Sequence, residues 1–269
     1  PARKAAAKIC IERGDFNTAE KHLITLLGQD AHDTEAMLLL AKALAAQKQT
    51  DQALKIVDKA LSLADDDLDL ALERISLLKT LQGPYAAIDA LRMTSSRFPD
   101  EFRLMKNLVD LLAEAGETAQ AIRTAQEILQ QGEIGHTLQQ KGQLQLTTGR
   151  LLRSAGQLDQ AVHYLHQAKK VENVSYEAAL ELGRVHQDRR QYEQALDQIQ
   201  KAIQISPQDA EAYYQAGKVL KELKQYERAE RMLRHAAKLA PHDLKIHRQL
   251  GVLVTLNLVH GDPKPAPIP

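Results

Sequence analysis

An alanine recurs along this chain at an almost constant interval. Each copy follows a turn-forming stretch and precedes an apolar run, and the copies are Ala19, Ala53, Ala87, Ala121, Ala161, Ala195 and Ala229. Five of the six intervals are 34 residues long, and the other is 40 residues long. A fixed period of roughly 20 to 50 residues is typical of folds in which short structural units stack on one another. Any fold for this chain must therefore accommodate a stack of short repeats.

Each repeat contains two apolar stripes with helical spacing, separated by a turn. When every unit is numbered so that the recurrent alanine falls at place twenty, place eight holds a small or modest residue, most clearly Gly149, Gly183 and Gly217. Place thirty-two holds a proline in three units, namely Pro99, Pro207 and Pro241. Proline cannot continue a helix, so it should end the second helix of these units. Two short helices cannot bury their apolar faces alone, so the units are expected to stack.

The small residue at place eight, the alanine at place twenty and the proline at place thirty-two resemble the tetratricopeptide repeat family. The resemblance extends from Pro1 to about Val259 and is strongest in the last three units. It implies an all-α fold: a right-handed superhelical α-solenoid of about seven helix-turn-helix units with a C-terminal capping helix. The sequence departs from the family at place four, where the usual aromatic residue is mostly replaced, as by Met37 and Met105.

The register divides the chain into units and terminal segments. The units are predicted at 1–33, 34–67, 68–101, 102–135, 142–175, 176–209 and 210–243. An insertion at 136–141 predicts a first helix lengthened by about one and a half turns, at roughly 3.6 residues per turn. Residues 244–259 keep the register of a first helix and should cap the stack, and the proline-rich segment 260–269 should be an extended tail. Because the chain begins inside a repeat, we expect it to be a fragment of a longer protein.

Sequence motifs that carry catalysis are absent. There is no glycine-rich phosphate loop, no His-Glu-x-x-His, no Cys-x-x-Cys and no Gly-x-Ser-x-Gly. His163 and His166 share a helical face and could hold a metal, but a helix surface is the commoner meaning of such a pair. The acidic run at 65–69 lacks the glycine and glutamate of a calcium loop and favours a helix start. We therefore predict no enzyme activity, no cofactor and no metal site.

The charge balance limits the classes of partner. The 35 basic residues equal the 35 acidic ones, which argues against nucleic acid as a partner and against a membrane-surface protein. No stretch approaches the ~18 apolar residues that span a bilayer, so direct membrane insertion is not expected. The single cysteine excludes an internal disulfide. These features favour a cytoplasmic location without establishing it. A periplasmic location is the alternative if a signal or anchor lies outside this sequence.

The family resemblance implies that first helices line a concave groove, with ligand contacts at places two, five, nine, twelve and thirteen. Among the residues at these places we select, as the predicted partner-binding set, Leu146, Arg150, Arg153, Leu180, Arg184, Tyr214, Lys218, Lys221, Lys245 and Arg248. A basic stripe beside apolar anchors suits an acidic or C-terminal peptide segment. Acidic residues share the same surface, namely Glu177, Glu181, Asp188, Glu211 and Glu222. The alternative is therefore a groove whose charges pair with one another and that has no particular ligand.

The predicted function is a non-catalytic protein-interaction scaffold that binds a partner peptide or helix in its groove. The alternative is a regulatory or targeting region of a larger enzyme or of a secretion or assembly machine, and a nucleic-acid-binding helical repeat is less favoured. Family members that grip chaperone tails use an asparagine where this chain has Asp110, four residues after Lys106, so that subtype is disfavoured. Self-association is a further alternative, because the two halves of the chain carry opposite net charge. Residues 1–135 hold 16 basic and 21 acidic residues, whereas residues 136–269 hold 19 basic and 14 acidic residues.

Overall fold

The computed structural model describes residues 2–130 and 137–260, and across these ranges it contains fifteen α-helices, one short 3₁₀-helix and no strand. The α-helices are α1 (Ala2–Glu12), α2 (Phe16–Leu27), α3 (Thr34–Ala46), α4 (Thr50–Leu63), α5 (Leu68–Gln82), α6 (Pro84–Arg97), α7 (Phe102–Glu114), α8 (Thr118–Gln130), α9 (Leu138–Ser154), α10 (Leu158–Ala168), α11 (Ser175–Asp188), α12 (Tyr192–Ile205), α13 (Ala210–Glu222), α14 (Tyr226–Leu239) and α15 (Leu244–His260). The all-α class predicted from the sequence is confirmed.

Consecutive helices pack together as hairpins. The first and second helices of a repeat are in contact in the pairs α1/α2, α3/α4, α5/α6, α9/α10, α11/α12 and α13/α14. Only a short turn joins the two helices of each pair, so they must run antiparallel in order to pack along each other. The second helix of one pair also contacts the first helix of the next, as in α2/α3 and α12/α13. The helix-turn-helix repeats predicted from the 34-residue period are thus present.

The chain forms two compact units, residues 1–124 and residues 125–269. In the first unit, Leu40, Val57 and Leu70 belong to one buried cluster that spans α3, α4 and α5. In the second unit, smaller clusters join neighbouring helices, and one of them unites Leu220, Leu233 and Leu253 of α13, α14 and α15. Burying these apolar side chains supplies the main stabilising free energy of each unit.

A left-handed residue recurs at the turn between the first and second helix. Lys48, Arg190 and Lys224 have φ values of 64°, 59° and 60°, and glycines occupy the corresponding place at Gly14 and Gly116. The residue after each of these lysines and the arginine donates its backbone N–H to the carbonyl five residues earlier, as Gln191 does to the carbonyl of His186 at 2.8 Å. This pattern is the Schellman motif, which satisfies the last carbonyls of a helix and reverses the chain.

Glycine at place eight allows the two helices of a repeat to approach closely. A Cβ atom built on Gly149 would lie 2.5 Å from Cγ of Leu165, and one built on Gly183 would lie 2.6 Å from Cγ1 of Ile199. Gly217 has the same relation to Leu233, at 2.6 Å from its Cγ. Real Cβ atoms do not approach other carbons so closely, so the aliphatic side chain occupies the space that a residue larger than glycine would need.

The first helix after the insertion is long. α9 has 17 residues, compared with 13 in α13, and it begins at a capping box in which Thr137 and Gln140 exchange hydrogen bonds with each other's backbone. Residues 131–135, which include Gly132 and Gly135, and the first inserted residue lie outside the described residues. So does most of the predicted tail, and the repeat boundaries given above remain predictions.

Candidate protein-interaction site

The predicted partner-binding residues all lie on four first helices of the second unit. Leu146, Arg150 and Arg153 are on α9, and Leu180 and Arg184 are on α11. Of the remaining five, Tyr214, Lys218 and Lys221 are on α13, and Lys245 and Arg248 are on α15. First helices also contact one another, as α9 does α11 and α13 does α15. These contacts place first-helix side chains from neighbouring repeats next to each other.

Two of the predicted apolar anchors are buried. Leu146 and Leu180 expose only 6% and 5% of their surface, and Leu180 packs in a cluster with Ala202 and Ala212. Tyr214, at the same place in the next repeat, is half-buried and keeps part of its ring accessible. Of these three residues at place five, Tyr214 is therefore the one that is only partly buried.

Three arginines converge on the carboxylate of Glu181, whose side chain is only 4% exposed. Nη1 of Arg184 lies 2.6 Å from Oε1 of Glu181, and Nε of Arg150 lies 3.3 Å from the same oxygen. Nε of Arg153 lies 3.3 Å from the other oxygen, Oε2. A buried carboxylate is costly unless it is paired, so the arginines compensate for the loss of hydration.

The same arginines carry the network outward to two further carboxylates. Nη1 of Arg153 lies 3.1 Å from Oδ2 of Asp188, and Nη2 of Arg184 donates to Oε1 of Glu211 at 2.6 Å. Burial opposes the charged form of Arg184, but Glu181 and Glu211 outweigh it and raise the pKa of the guanidinium. The predicted basic stripe on α9 and α11 is thus balanced, because its three arginines pair with Glu181 and Asp188 of α11 and with Glu211 of α13.

Farther along, α13 and α15 carry cations that form no ion pair with any carboxylate in the described part of the chain. Nζ of Lys218 lies 5.7 Å from the centroid of the Tyr214 ring, within the range of a cation–π interaction. Burial raises the pKa of the Tyr214 hydroxyl and so does Glu211, whereas nearby Arg248 lowers it. Lys245 lies three residues before Arg248 on α15 and therefore shares a side of that helix. We refer to Tyr214, Lys218, Lys245 and Arg248 as the Tyr214 patch.

The charge pairs around this patch differ from what helical spacing suggests. Lys218 and Glu222 lie four apart on α13, yet the ion pair of Glu222 is with Lys221, at 3.2 Å. Within residues 2–130 and 137–260, no carboxylate forms an ion pair with Lys218, Lys245 or Arg248. Lys221 is therefore the one predicted cation on α13 that is already paired.

The other sequence candidates for a site have local structural roles. Nε2 of His163 lies 2.9 Å from the side-chain nitrogen of Gln167. In the acidic run, Asp67 is the N-cap of α5 and accepts from the backbone N–H groups of Asp69 and Leu70. Across the part of the chain that the structure describes, no group of three or more His, Cys, Asp and Glu side chains is placed to hold a metal ion. None of the described helices combines the length and the apolarity needed to cross a membrane.

Comparison with protein-family models agrees with the repeat geometry. The description "Tetratricopeptide repeat" matches residues 11–75 and again residues 210–243, and "TPR repeat" matches residues 183–224. The matched stretches include helix pairs of both compact units. This chain is a tetratricopeptide repeat protein. Tetratricopeptide repeats are a scaffold for protein–protein interaction, and a fold made only of them is typically non-catalytic.

Several solved structures share the fold, and one of them is that of a tetratricopeptide repeat protein. A tetratricopeptide repeat protein from Parabacteroides merdae ATCC 43184 is 16% identical with a TM-score of 0.61, and the match covers 94% of this chain and 98% of that one. A chain of the APC/C hetero-tetramer Cut9-Hcn1 is 13% identical with a TM-score of 0.59, covering 92% of this chain and 48% of its own length. MamA is 17% identical with a TM-score of 0.54, covering 62% and 95%. No match was found among curated proteins.

Proposed function

We propose that this tetratricopeptide repeat protein binds an acidic peptide segment or helix of a partner protein over the Tyr214 patch. One observation carries the proposal: Lys218 lies over the Tyr214 ring, and no described carboxylate pairs with Lys218, Lys245 or Arg248. Cations beside a half-buried aromatic ring, with Lys245 and Arg248 exposed and Lys218 half-buried, combine charge with apolar surface, which is the chemistry that recognises an acidic segment with an apolar side chain.

Each member of the patch has a separate task in this proposal. The Arg248 guanidinium suits a carboxylate because its N–H groups form a planar fork, and Lys245 adds a second positive charge within one helical turn. The Tyr214 ring provides a rigid surface for an aliphatic or aromatic side chain of the partner. Charges at the edge of such a site mainly raise the association rate and select the partner, so binding should weaken as salt is added.

The arginine network supports the site rather than forming it. Arg184 joins Glu181 of its own helix to Glu211 of α13, and the amide of Gln215 donates to Glu211 at 2.6 Å, one residue after Tyr214. A network of ion pairs and hydrogen bonds of this kind holds α11 and α13 in one arrangement. The Tyr214 ring is then presented in a fixed position, which reduces the entropy that binding must overcome.

The test compares charge reversals inside and outside the patch. Short fluorescent acidic peptides, each with one aliphatic or aromatic residue, would be titrated against the wild type, Arg248→Glu and Lys218→Glu. Lys238→Glu on the exposed side of α14 is the matched control. We expect each patch variant to lose at least about tenfold in affinity, which corresponds to roughly 1.4 kcal/mol, and the control to bind as the wild type does.

Two other results would contradict the proposal. Equal binding by all four proteins would place the site elsewhere. A fifth protein, Arg150→Glu, that loses more affinity than Arg248→Glu would place the site on α9. The same patch would serve a targeting region of a larger enzyme or of a secretion or assembly machine. Amidating the peptide carboxyl terminus separates recognition of a chain end from recognition of an internal acidic segment.

A further inference from the structure

A cavity of about 430 Å³ lies among α4, α5 and α6. All of its lining residues fall between Asp58 and Phe98, so the cavity belongs to the first compact unit alone. Its volume is within the range of about 300–1,000 Å³ that is usual for pockets in which proteins hold a ligand. The apolar part of the lining consists of Leu61, Ala71, Ile75, Ala90, Met93 and Phe98.

The equivalent space in the repeat at 210–243 is filled by an aromatic ring. Tyr213 occupies place four of that repeat, and its ring centroid lies 4.2 Å from that of His235, at place twenty-six. In the third repeat these two places hold Ala71 and Met93, and both residues line the cavity. An alanine has no side-chain atom beyond Cβ, so it leaves free the room that a tyrosine ring occupies.

Another repeat with alanine at place four spans the same gap with long polar side chains. Where Ala179 is at place four, Nζ of Lys169 donates to Oε1 of Gln198 at 2.7 Å and so joins α10 to α12. Around the cavity, the places of Lys169 and Gln198 are held by Leu61 and Ala90. Leu61 and Ala90 cannot form such a hydrogen bond between α4 and α6, so the space between these helices stays open.

Charged side chains surround the apolar lining. Nε of Arg74 lies 2.7 Å from Oδ1 of Asp58, and Nη2 of Arg97 lies 2.9 Å from Oδ2 of Asp65, so the charges of these lining residues cancel in pairs. Asp66 follows Asp65 directly, is exposed, and forms no ion pair with any cation in the described part of the chain. This edge of the cavity therefore has a surplus of negative charge, which favours a cation beside the group that enters.

We infer that this cavity binds the side chain of a phenylalanine, tyrosine or tryptophan of a partner protein, with a lysine or arginine next to it in the partner sequence. The ring would occupy the space that Tyr213 fills in its own repeat, and the partner's cation would lie near Asp66. The residues of this chain outside the described ranges include no phenylalanine, tyrosine or tryptophan, so they do not supply the ring.

The cavity lined by Ala71 and Met93 is called the α5 cavity below. It belongs to a different compact unit from the Tyr214 patch. The inference therefore does not rest on the proposed peptide binding.

The test exploits the absence of tryptophan from this chain. A peptide of sequence Gly-Ser-Lys-Trp-Lys-Ser-Gly, blocked at both ends, is then the only source of indole fluorescence. We expect its emission to shift to shorter wavelength on titration with the full chain, because the ring leaves water for an apolar cavity. The same peptide with alanine in place of tryptophan should compete at least about tenfold more weakly, which corresponds to roughly 1.4 kcal/mol.

Variants of the protein locate the ring. Ala71→Met should abolish the shift because methionine fills the space, and Met37 and Met105 occupy the same place in the neighbouring repeats. Lys238→Met on the exposed side of α14 adds the same side chain elsewhere and should bind as the wild type does. Met93→Ala removes a side chain of a residue that is 73% exposed, so the fold should be retained while affinity falls at least about fivefold.

Two charge variants test the edge of the cavity. Asp66→Asn should reduce the preference for the lysine-flanked peptide over one in which serines replace the lysines. Lys218→Glu should leave tryptophan binding unchanged, which separates the α5 cavity from the Tyr214 patch. Circular dichroism of every variant checks that its helices are intact.

Four outcomes would overturn the inference. Two are the absence of an emission shift with the wild type and an equal shift with Ala71→Met. A third is binding of N-acetyltryptophanamide as tight as that of the peptide, which would assign the cavity to a free aromatic molecule. The fourth is a dimer of the chain alone at high ionic strength, lost in both Ala71→Met and Tyr85→Ser, which would assign the cavity to the exposed tyrosine of a second copy.

Discussion

Gly217 occupies a position where the neighbouring leucine fills the space of a side chain. Replacing it with alanine adds a methyl group that would lie 2.6 Å from Cγ of Leu233 and 3.3 Å from the carbonyl oxygen of Ala229. Overpacking of this kind costs about 1–3 kcal/mol. Alanine favours a helix over glycine by only about 1 kcal/mol, so the clash should decide the sign. We expect Gly217→Ala to lower the free energy of unfolding, measured by urea titration with circular dichroism.

Gly251→Ala is the matched control for that substitution. It introduces the same methyl group at the same place of α15, where no described atom lies within 4 Å. Helix propensity then acts alone, and stability should rise by up to about 1 kcal/mol. Effects of the same sign at Gly217 and Gly251 would show that close packing against the second helix does not set the requirement for glycine.

Glu181 should matter more to stability than any single arginine that pairs with it. Glu181→Gln keeps the shape but removes the charge that Arg150, Arg153 and Arg184 share, and hydrogen bonds to charged groups contribute about 1.5–3 kcal/mol. Arg150 is about half exposed, so Arg150→Gln should cost less than about 1 kcal/mol. Thermal and urea unfolding of both variants would measure the difference, and a larger loss in Arg150→Gln would contradict this view of the network.

The sequence predicted this part of the site incompletely. Tetratricopeptide register predicted the arginines and Glu181 on first helices, and in the structure they lie on α9 and α11. It did not indicate that Glu181 is buried between them, because burial depends on how closely α9 approaches α11. Leu146, Leu180 and Tyr214 share place five, yet only Tyr214 keeps accessible surface, for the same reason. Periodicity identifies the side of a helix, whereas the spacing between helices decides how much of that side is left open.

At the scale of whole helices, α1 is attached to α3 by a cluster of ion pairs. Nζ of Lys4 lies 2.8 Å from both Oδ2 of Asp33 and Oε2 of Glu35, and Nζ of Lys8 lies 2.7 Å from Oε1 of Glu35. Asp33 is also the N-cap of α3, so the residue that begins α3 also binds α1. Hydrogen bonds from Lys4 and then Lys8 lower the pKa of Glu35 to about 2.

This cluster predicts that α1 loosens in acid. The pKa of Glu35 is lower in the folded chain than its usual value of 4.5, so its stabilising contribution is complete above that value and disappears as the pH falls through about 2. We expect the hydrogen-exchange protection factors of α1 to fall relative to those of α13 between about pH 5 and about pH 2. Glu35→Gln should show weaker and less pH-dependent protection, and unchanged protection of wild-type α1 would refute the prediction.

The helices were predictable as elements because each signal occurs once per repeat. The recurrent alanine and the apolar stripes indicated helix pairs in every unit, and the place-eight glycines indicated close approach in the later ones. The turn was less evident, because Lys48, Arg190 and Lys224 adopt a left-handed conformation that glycine normally takes. Tertiary packing of the two helices compensates for that local cost, and sequence alone does not show such compensation.

At the scale of the whole molecule, charge is distributed unequally along the chain. Residues 1–135 have an excess of acidic residues and residues 136–269 an equal excess of basic ones. Attraction between opposite halves of two chains should favour association at low ionic strength, since the Debye length is about 30 Å at 0.01 M salt and about 8 Å at 0.15 M. Sedimentation velocity should therefore show larger species in the dilute buffer.

Salt itself provides the control for that prediction. Association that persists unchanged at high ionic strength would indicate an apolar contact instead, and the same sedimentation coefficient in both buffers would exclude charge-driven association. Arg248→Glu together with Lys245→Glu should reduce the effect, because both cations are exposed and belong to the basic half.

The fit of Leu165, Ile199 and Leu233 against the place-eight glycines also bears on how such a gene can change. Each glycine and its aliphatic partner lie 16 residues apart within one repeat, so a DNA segment that encodes 34 residues carries both sides of the contact. Unequal recombination between two copies would then add or remove a complete unit without separating glycine from its partner. Array length, and with it the reach of the scaffold, can therefore evolve in whole steps while every surviving repeat keeps its own internal fit.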